Sequence, residues 1–399
     1  MRSILFIILD GLGDRPIKEF GGLTPLEAAL TPNLDMLASK SICGNMYSLG
    51  VGIRPSSDVA HMTLFGVDYK RLYPGRGPLE LIGAGQDMEE NDIAFRGNFC
   101  TLDKNGIIID RRAKRKKPSE RLCSRLKRIN INGFQFDMFN YAEHRFALRV
   151  RGKSVSTMVS DSDPHRENVH PLRVVPTKDE ENAKLTAQAI NEYLSIVSEI
   201  CLDEAEDGIS GVLLRSVGKR PQWDTFNSMY GITHSCCLAN NALYSGIAKS
   251  LGMRIISSKH YDNYLDYYSI IPETITKELQ ENEFVFLHIA EGDLFGEDGN
   301  SKGKKAAIEH IDSTLSFLNQ VDLESTLIVV TADHSTPCAL KAHSGDSVPI
   351  IIAGEGIRVD EVKEFGERSC SKGLLGTVCG SDLMNLVMNF CGKATLIGG

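Results

Sequence analysis

"ILFIILDG", residues 4 to 11, and "TLIVVTADH", residues 326 to 334, follow one pattern: a run of branched and bulky apolar residues that stops at an acidic one. "GVLLRS" (211 to 216), "FVFLHIAEGD" (284 to 293) and "VPIIIAGEG" (348 to 356) are runs of the same kind. They alternate with stretches of helical periodicity at 183–200, 241–251, 304–318 and 382–390. Short apolar runs alternating with amphipathic helices predict a largely parallel sheet covered on both faces. In such sheets ligands gather beyond the carboxyl ends of the strands. Asp10, Asp293 and the Asp333, His334 pair all stand there.

Composition bounds the rest. A chain of 399 residues, 42% of them apolar, is long enough for two cores. The run at 4–9 is too short to span a bilayer and lacks a cleavage pattern, so the expectation is a cytoplasmic protein with no membrane partner. Ten scattered cysteines with no CxxC read as reduced packing residues. The net charge of −8 argues against nucleic acid as a partner, yet residues 91–175 hold 18 Lys and Arg against 9 Asp and Glu. The densest part is "DRRAKRKK", 110 to 117, and a basic segment in an acidic chain suits a small, multiply anionic substrate. Between residues 86 and 235 charge becomes dense and apolar runs shorten. This predicts an inserted domain at 86–235 that interrupts a discontinuous one formed by 1–85 and 236–399, with the Gly-rich "PGRGPLELIGAG" (74 to 85) as the first crossing.

"RPSSDVAH", residues 54 to 61, reads as an N-cap and first helical turn. A serine there also sits where backbone N–H groups bind an arriving phosphate. The acidic strand ends and Ser57 supply donors for two cations: Asp10, Ser57, Asp333 and His334 for one, and Asp293, Glu297 and His343 for the other. The mix of oxygen and imidazole suits manganese, with magnesium, zinc or cobalt as alternatives. Two such ions serve phosphoryl transfer by stabilising both attacking and leaving oxygens.

"ILDGLGDRP" (8 to 16), "TPLEAALTPNLDMLA" (24 to 38), "PSSDVAHMTLFG" (55 to 66), "GRGPLELIGAG" (75 to 85), "DIAFRGNF" (92 to 99), "DRRA" (110 to 113), "SDSDPH" (160 to 165), "TADHSTP" (331 to 337) and "HSGDSVP" (343 to 349) together carry a resemblance. In this order they resemble the archaeal-type cofactor-independent phosphoglycerate mutases, over essentially the whole chain. The resemblance implies an alkaline-phosphatase-like α/β sheet domain interrupted by a smaller α/β substrate-binding domain. It implies phosphoglycerate as the substrate, two divalent metal ions and no bisphosphoglycerate. Ser57 is then the nucleophile that becomes phosphorylated; Asp10, Ser57, Asp333 and His334 match one metal site, and Asp293 and His343 match part of the other.

Three positions depart from the family pattern. Glu297, with Asp298 beside it, stands where the family has histidine, which keeps a donor four residues after Asp293 but hardens the set. "SSKHYDNYLDYYS" (257 to 269) replaces a Gly-rich turn and Asp-Thr-Asn-Tyr, and Lys114 stands where glycine is usual. Glycerate has to be held while the phosphoryl group rests on the serine, and arginines grip carboxylate and phosphate in a bidentate way. Arg96, Arg111, Arg112 and Arg145 are the candidates, with Asp110, His144 and Asp163 for hydroxyl contacts or proton transfer. His61 is expected to support the site. Two other readings use the same residues: a phosphohydrolase or different phosphomutase of the superfamily, and a non-catalytic anion-binding relative.

Overall fold

The structure is a computed structural model that describes residues 2–257, 260–396 and 398. The chain forms two compact units, one of Met1–Leu72, Trp223–Asn240 and Ile247–Gly399, the other of Tyr73–Gln222 with Asn241–Gly246.

The first unit is built on an eight-stranded sheet. Its strands lie in the order Arg254–Ile255, Ser235–Ala239, Phe284–Ile289, Ser3–Leu9, Thr326–Thr331, Val348–Ala353, Ser41–Tyr47 and Gly376–Cys379. All pairings are parallel except the two made by Val348–Ala353, which runs against both neighbours. Phe284–Ile289, Thr326–Thr331 and Val348–Ala353 are buried at every residue, which is why these strands read as unbroken apolar runs rather than alternating ones. Helices Ser301–Thr314 and Gly380–Phe390 stand where periodicity places them. Ser3–Leu9 lies between Phe284–Ile289 and Thr326–Thr331, with Ile8 level with both His288 and Thr331. That register is what gathers the site, because three chain segments leave the sheet side by side at one edge.

The second unit is a six-stranded antiparallel sheet. Its order is Ile108–Asp110, Ile93–Leu102, Arg145–Arg151, Phe134–Ala142 and Arg128–Ile131, and Gly211–Lys219 also pairs with Ile93–Leu102. The 24-residue helix Glu181–Glu204 belongs to the same core, its Tyr193 ring stacked 4.5 Å from Phe136. "GVLLRS" therefore forms an antiparallel strand here and is no part of the parallel sheet. A short apolar run carries no information about the direction of its neighbour.

The compact units also differ from the bounds at 85/86 and 235/236. "PGRGPLELIGAG" is chiefly the helix Arg76–Gly83, and it packs within the second unit. Small residues make this possible. A Cβ at Gly77 would lie 2.3 Å from the Ala94 carbonyl oxygen, one at Gly83 1.7 Å from that of Ala242, and one at Gly246 1.8 Å from that of Leu79. Backbone approaches backbone at each, which ties Asn241–Gly246 to this unit although it is distant in sequence. Gly246→Val is expected to lower the unfolding free energy by at least about 1–3 kcal/mol, since the obstacle is backbone rather than a movable side chain. Urea unfolding measures it, and an unchanged midpoint would contradict the close crossing.

Candidate metal centre and basic cluster

Asp10 is the residue after Ser3–Leu9, and Asp333 and His334 follow Thr326–Thr331. Asp293 lies in the first turn of helix Glu291–Asp298, and His343 lies in the loop before Val348–Ala353. Asp10, Asp333 and His334 form one group and Asp293, His334 and His343 another, each with its ligand atoms within 4.8 Å of one another. His334 Nε2 is 3.1 Å from Asp333 Oδ2, 3.4 Å from Asp10 Oδ1 and 3.2 Å from Ser57 Oγ. Its ring is stacked 3.6 Å from that of His343, whose Nε2 lies 3.3 Å from Asp293 Oδ1.

Ser57 is the first residue of helix Ser57–Leu64, and Ser56 is the N-cap, but neither hydroxyl caps the helix. Ser56 donates to Asp58. The Ser57 hydroxyl is turned instead toward His334, so the segment is a helix start whose serine is presented to the ligand group.

Electrostatics favour a cation here. Asp10 and Asp333 are almost wholly buried, and Asp333 Oδ2 accepts no hydrogen bond. Burial, and then the charge of Asp293, push the Asp333 carboxyl up to about 7. Burial and the charge of His343 bring His334 down to about 4. Burial alone would lower His343 too, but the Asp293 carboxylate outweighs it and raises the imidazole to about 9. Crowded carboxylates, an orphaned carboxylate oxygen and a converging imidazole make a donor set that a divalent ion completes. His343 is ready for the same task, because its Nδ1 donates to the Pro55 carbonyl at 2.9 Å and leaves Nε2 facing inward.

Glu297 stands apart. It is exposed, and it lies outside both ligand groups among the described residues. With Arg54, Ser56, Lys341 and His343 it lines an open pocket of about 460 Å³. The spacing of four residues from Asp293 places it on the same helix, but near the C-terminal, solvent-facing end.

Several supporting residues carried no sequence signal. His288 sits inside an apolar run, fully buried, with Nε2 3.4 Å from Asp10 Oδ2. His61 packs beneath the site as expected: its Nδ1 donates to the Ser57 carbonyl at 2.8 Å and lies 3.6 Å from Asp333 Oδ2. In the unusual 257–269 stretch, Ser258 and Lys259 lie outside the described residues. Farther along it, Tyr267 donates to the His288 carbonyl at 2.8 Å, with the Leu238 carbonyl 3.1 Å from the same hydroxyl, and Tyr268 donates to the buried Glu291. These tyrosines brace the strand ends.

The second unit carries the basic cluster. Arg111 grips Asp163 in a bidentate pair at 2.9 and 2.6 Å, and Arg215 reaches the same carboxylate at 3.2 Å. Arg96, level with Arg215 in the sheet, lies 3.4 Å from the buried Glu80, which Arg76 and Tyr141 also contact. Burial and the charge of Arg76 lower Arg96 to about 9. His144 is buried, and its imidazole is pushed to about 3 by burial and then by Arg145, Arg112, Arg96 and Arg115. Asp110 has a local role: its carboxylate accepts from the backbone N–H groups of Arg112 and Lys114 and shapes the basic turn. Lys114 has φ 53°, the left-handed region, which explains why glycine suits that position. Arg76 and Arg215 were missed because they lie outside 91–175, the stretch with the basic excess; helix Arg76–Gly83 and strand Gly211–Lys219 bring them in.

With this geometry in place the comparisons are informative. Residues 2–390 match the Metalloenzyme superfamily. A 2,3-bisphosphoglycerate-independent phosphoglycerate mutase from Methanocaldococcus jannaschii is 36% identical over all of this chain and 99% of its own, and one from Methanoculleus marisnigri is 38% identical over 99% of each. The chain belongs to this family. Among solved structures, the cofactor-independent phosphoglycerate mutase of Thermoplasma acidophilum superposes with a TM-score of 0.68 at 32% identity, covering 98% of this chain and all of the other. A Pyrococcus horikoshii protein superposes with 0.83 at 30% identity over 100% and 99%.

Glu297→Ala is expected to leave metal stoichiometry unchanged, because the carboxylate is outside both ligand groups. Metal analysis after dialysis checks this, and loss of one ion would return Glu297 to the donor set.

Proposed function

We infer that this protein is a bisphosphoglycerate-independent phosphoglycerate mutase that interconverts 3-phosphoglycerate and 2-phosphoglycerate, a step of glycolysis and gluconeogenesis, through a phosphoserine at Ser57. The observation that carries the reading is the Ser57 hydroxyl, which takes no part in capping and is directed at His334 between buried carboxylates. Full-length similarity to named mutases supports it.

Asp10, Ser57, Asp333 and His334 are the residues to hold one divalent ion, and Asp293 with His343 those to hold a second. Oxygen donors with one imidazole suit manganese, with magnesium, zinc or cobalt as weaker fits. When bound, such ions supply positive charge to a serine oxygen and to a transferring phosphoryl group. The Ser57 oxygen attacks phosphorus and the bond from phosphorus to the glycerate oxygen breaks, so glycerate leaves with the proton that the serine gives up. The other glycerate hydroxyl then attacks phosphoserine, and the proton returns to Ser57. No water enters, so atoms balance within the isomerisation. At the start of Ser57–Leu64 the Val59 N–H already donates to the Asp58 carboxylate at 3.0 Å, so the phosphoryl group is placed on the Ser57 oxygen itself.

Retention of glycerate separates a mutase from a phosphatase. We assign it to the second unit's basic cluster, with Arg96, Arg111, Arg112 and Arg145 for carboxylate and phosphate, joined by Arg215. Asp163 aligns Arg111 and Arg215, and His144, kept neutral, serves hydroxyl contact or proton transfer. Among the described residues no helix is long and apolar enough to cross a membrane, and the substrate is a small anion.

The test is a paired assay for 2-phosphoglycerate and free phosphate from 3-phosphoglycerate. Wild type is expected to yield 2-phosphoglycerate in large excess, Ser57→Ala to lose turnover by on the order of 10⁴-fold or more, and Arg111→Gln/Arg112→Gln to raise the share of phosphate. Phosphate as the main wild-type product would favour the phosphohydrolase reading, and a folded Ser57→Ala protein with near-normal turnover would refute the phosphoserine.

A further inference from the structure

Thr336 belongs to neither ligand group, yet its side chain joins Asp293 to His334, the residue that the two groups share. Its Oγ1 is 2.7 Å from Asp293 Oδ1 on one side and 3.1 Å from His334 Nδ1 on the other. A hydroxyl has one proton and an ionised carboxylate has none to give. The short contact to Asp293 therefore takes the Thr336 proton, and the contact to His334 is satisfied only by an N–H on Nδ1. We propose that Thr336 is a positioning residue that links Asp293 to His334, the ligand common to both groups, fixing His334 with its proton on Nδ1 and its Nε2 lone pair toward Asp10, Asp333 and Ser57 while orienting Asp293. This rests on the reading of these groups as metal sites.

The surroundings hold Thr336 still. A Cβ at Gly11, whose φ is +62°, would fall 2.7 Å from Thr336 Oγ1, and one at Gly296 would fall 2.4 Å from the Thr336 carbonyl oxygen. The Thr336 N–H donates to the Gly13 carbonyl at 3.0 Å. Lys304, fully buried, donates through Nζ to the carbonyls of Gly13 and Thr336 and to Asp14 Oδ2, each at 3.0 Å. One ammonium thus pins the segment after Asp10 to the segment after His334, and the Thr336 hydroxyl extends the link to Asp293. A partner on the second ring nitrogen sets tautomer and orientation of a ligating histidine, and removing such partners typically lowers metal affinity about 10–100-fold.

The experiment uses full-length chelator-stripped protein, wild type and the Thr336→Val and Thr336→Ser variants, titrated with manganese by calorimetry. Histidine ¹⁵N spectra of the metal-free proteins are read alongside, with His334 assigned through His334→Gln. Thr336→Val, nearly isosteric but without the hydroxyl, is expected to bind manganese about 10–100-fold more weakly and to lose the Nδ1–H form. Thr336→Ser is expected to keep both. Wild-type affinity and tautomer in Thr336→Val, or an equal loss in both variants, would overturn the proposal. So would a neutral wild-type His334 protonated on Nε2, which is read without any variant. Absence of manganese binding in wild type would defeat the metal reading, while the ring nitrogens still report on Thr336.

Discussion

Like charges in a low-dielectric interior do not stay ionised together without a counter-charge, and this protein buries Asp10 and Asp333 around one imidazole, with Asp293 close by. The rest of the first unit follows from that constraint. The central strand Ser3–Leu9 is parallel to both neighbours, so three carboxyl ends open at the same edge and deliver acids from positions 10, 293 and 333 to one place. Without a cation the carboxylates compete: Asp333 is driven up to about 7, while His343 pairs with Asp293 and rises to about 9. Buried histidines beneath the centre are kept neutral, His61 and His288 each at about 3, by desolvation first.

Ser57 uses the same arrangement. Ser57 is the first residue of its helix and Ser56 holds the capping position, so the helix start does not call on the Ser57 hydroxyl. That hydroxyl faces His334 Nε2 at 3.2 Å, which turns the serine oxygen toward the ligand groups. The second unit carries a basic cluster of its own. Four of its arginines are held by carboxylates: Arg111 and Arg215 by Asp163, and Arg76 and Arg96 by Glu80. An arginine fixed by a carboxylate keeps its fork geometry, and this is the property that bidentate recognition requires.

Much of this was legible in the sequence where chemistry and period coincide. Apolar runs ending in Asp10, Asp293 and Asp333 mark strand ends, and the ligand residues stand there because the sheet needs nothing polar before them. The direction of "GVLLRS" was not legible, because a buried strand reads alike in parallel and antiparallel sheets. Nor was the packing of Arg76–Gly83, since glycines that look like a linker are here the close face of a helix. Lys304 and Thr336 were invisible for another reason: a lysine in an amphipathic helix reads as solvent-facing, and a threonine after a histidine has no pattern of its own. The role of Lys304 arises when segments 291 residues apart meet, and that of Thr336 when Asp293, 43 residues before it, packs against its hydroxyl. Glu297 shows the converse, for its spacing names a ligand while its exposure places it on the pocket rim.

The central claim is that the buried carboxylates are compensated by bound divalent ions, and the most direct test is equilibrium unfolding of one preparation with chelator and with manganese. An ion that binds the folded state alone raises stability by about 2.7 kcal/mol at a concentration 100 times its dissociation constant. The account predicts a midpoint shift of that order, rising with manganese concentration and lost in Asp333→Asn. Superimposable unfolding curves with and without manganese would contradict it.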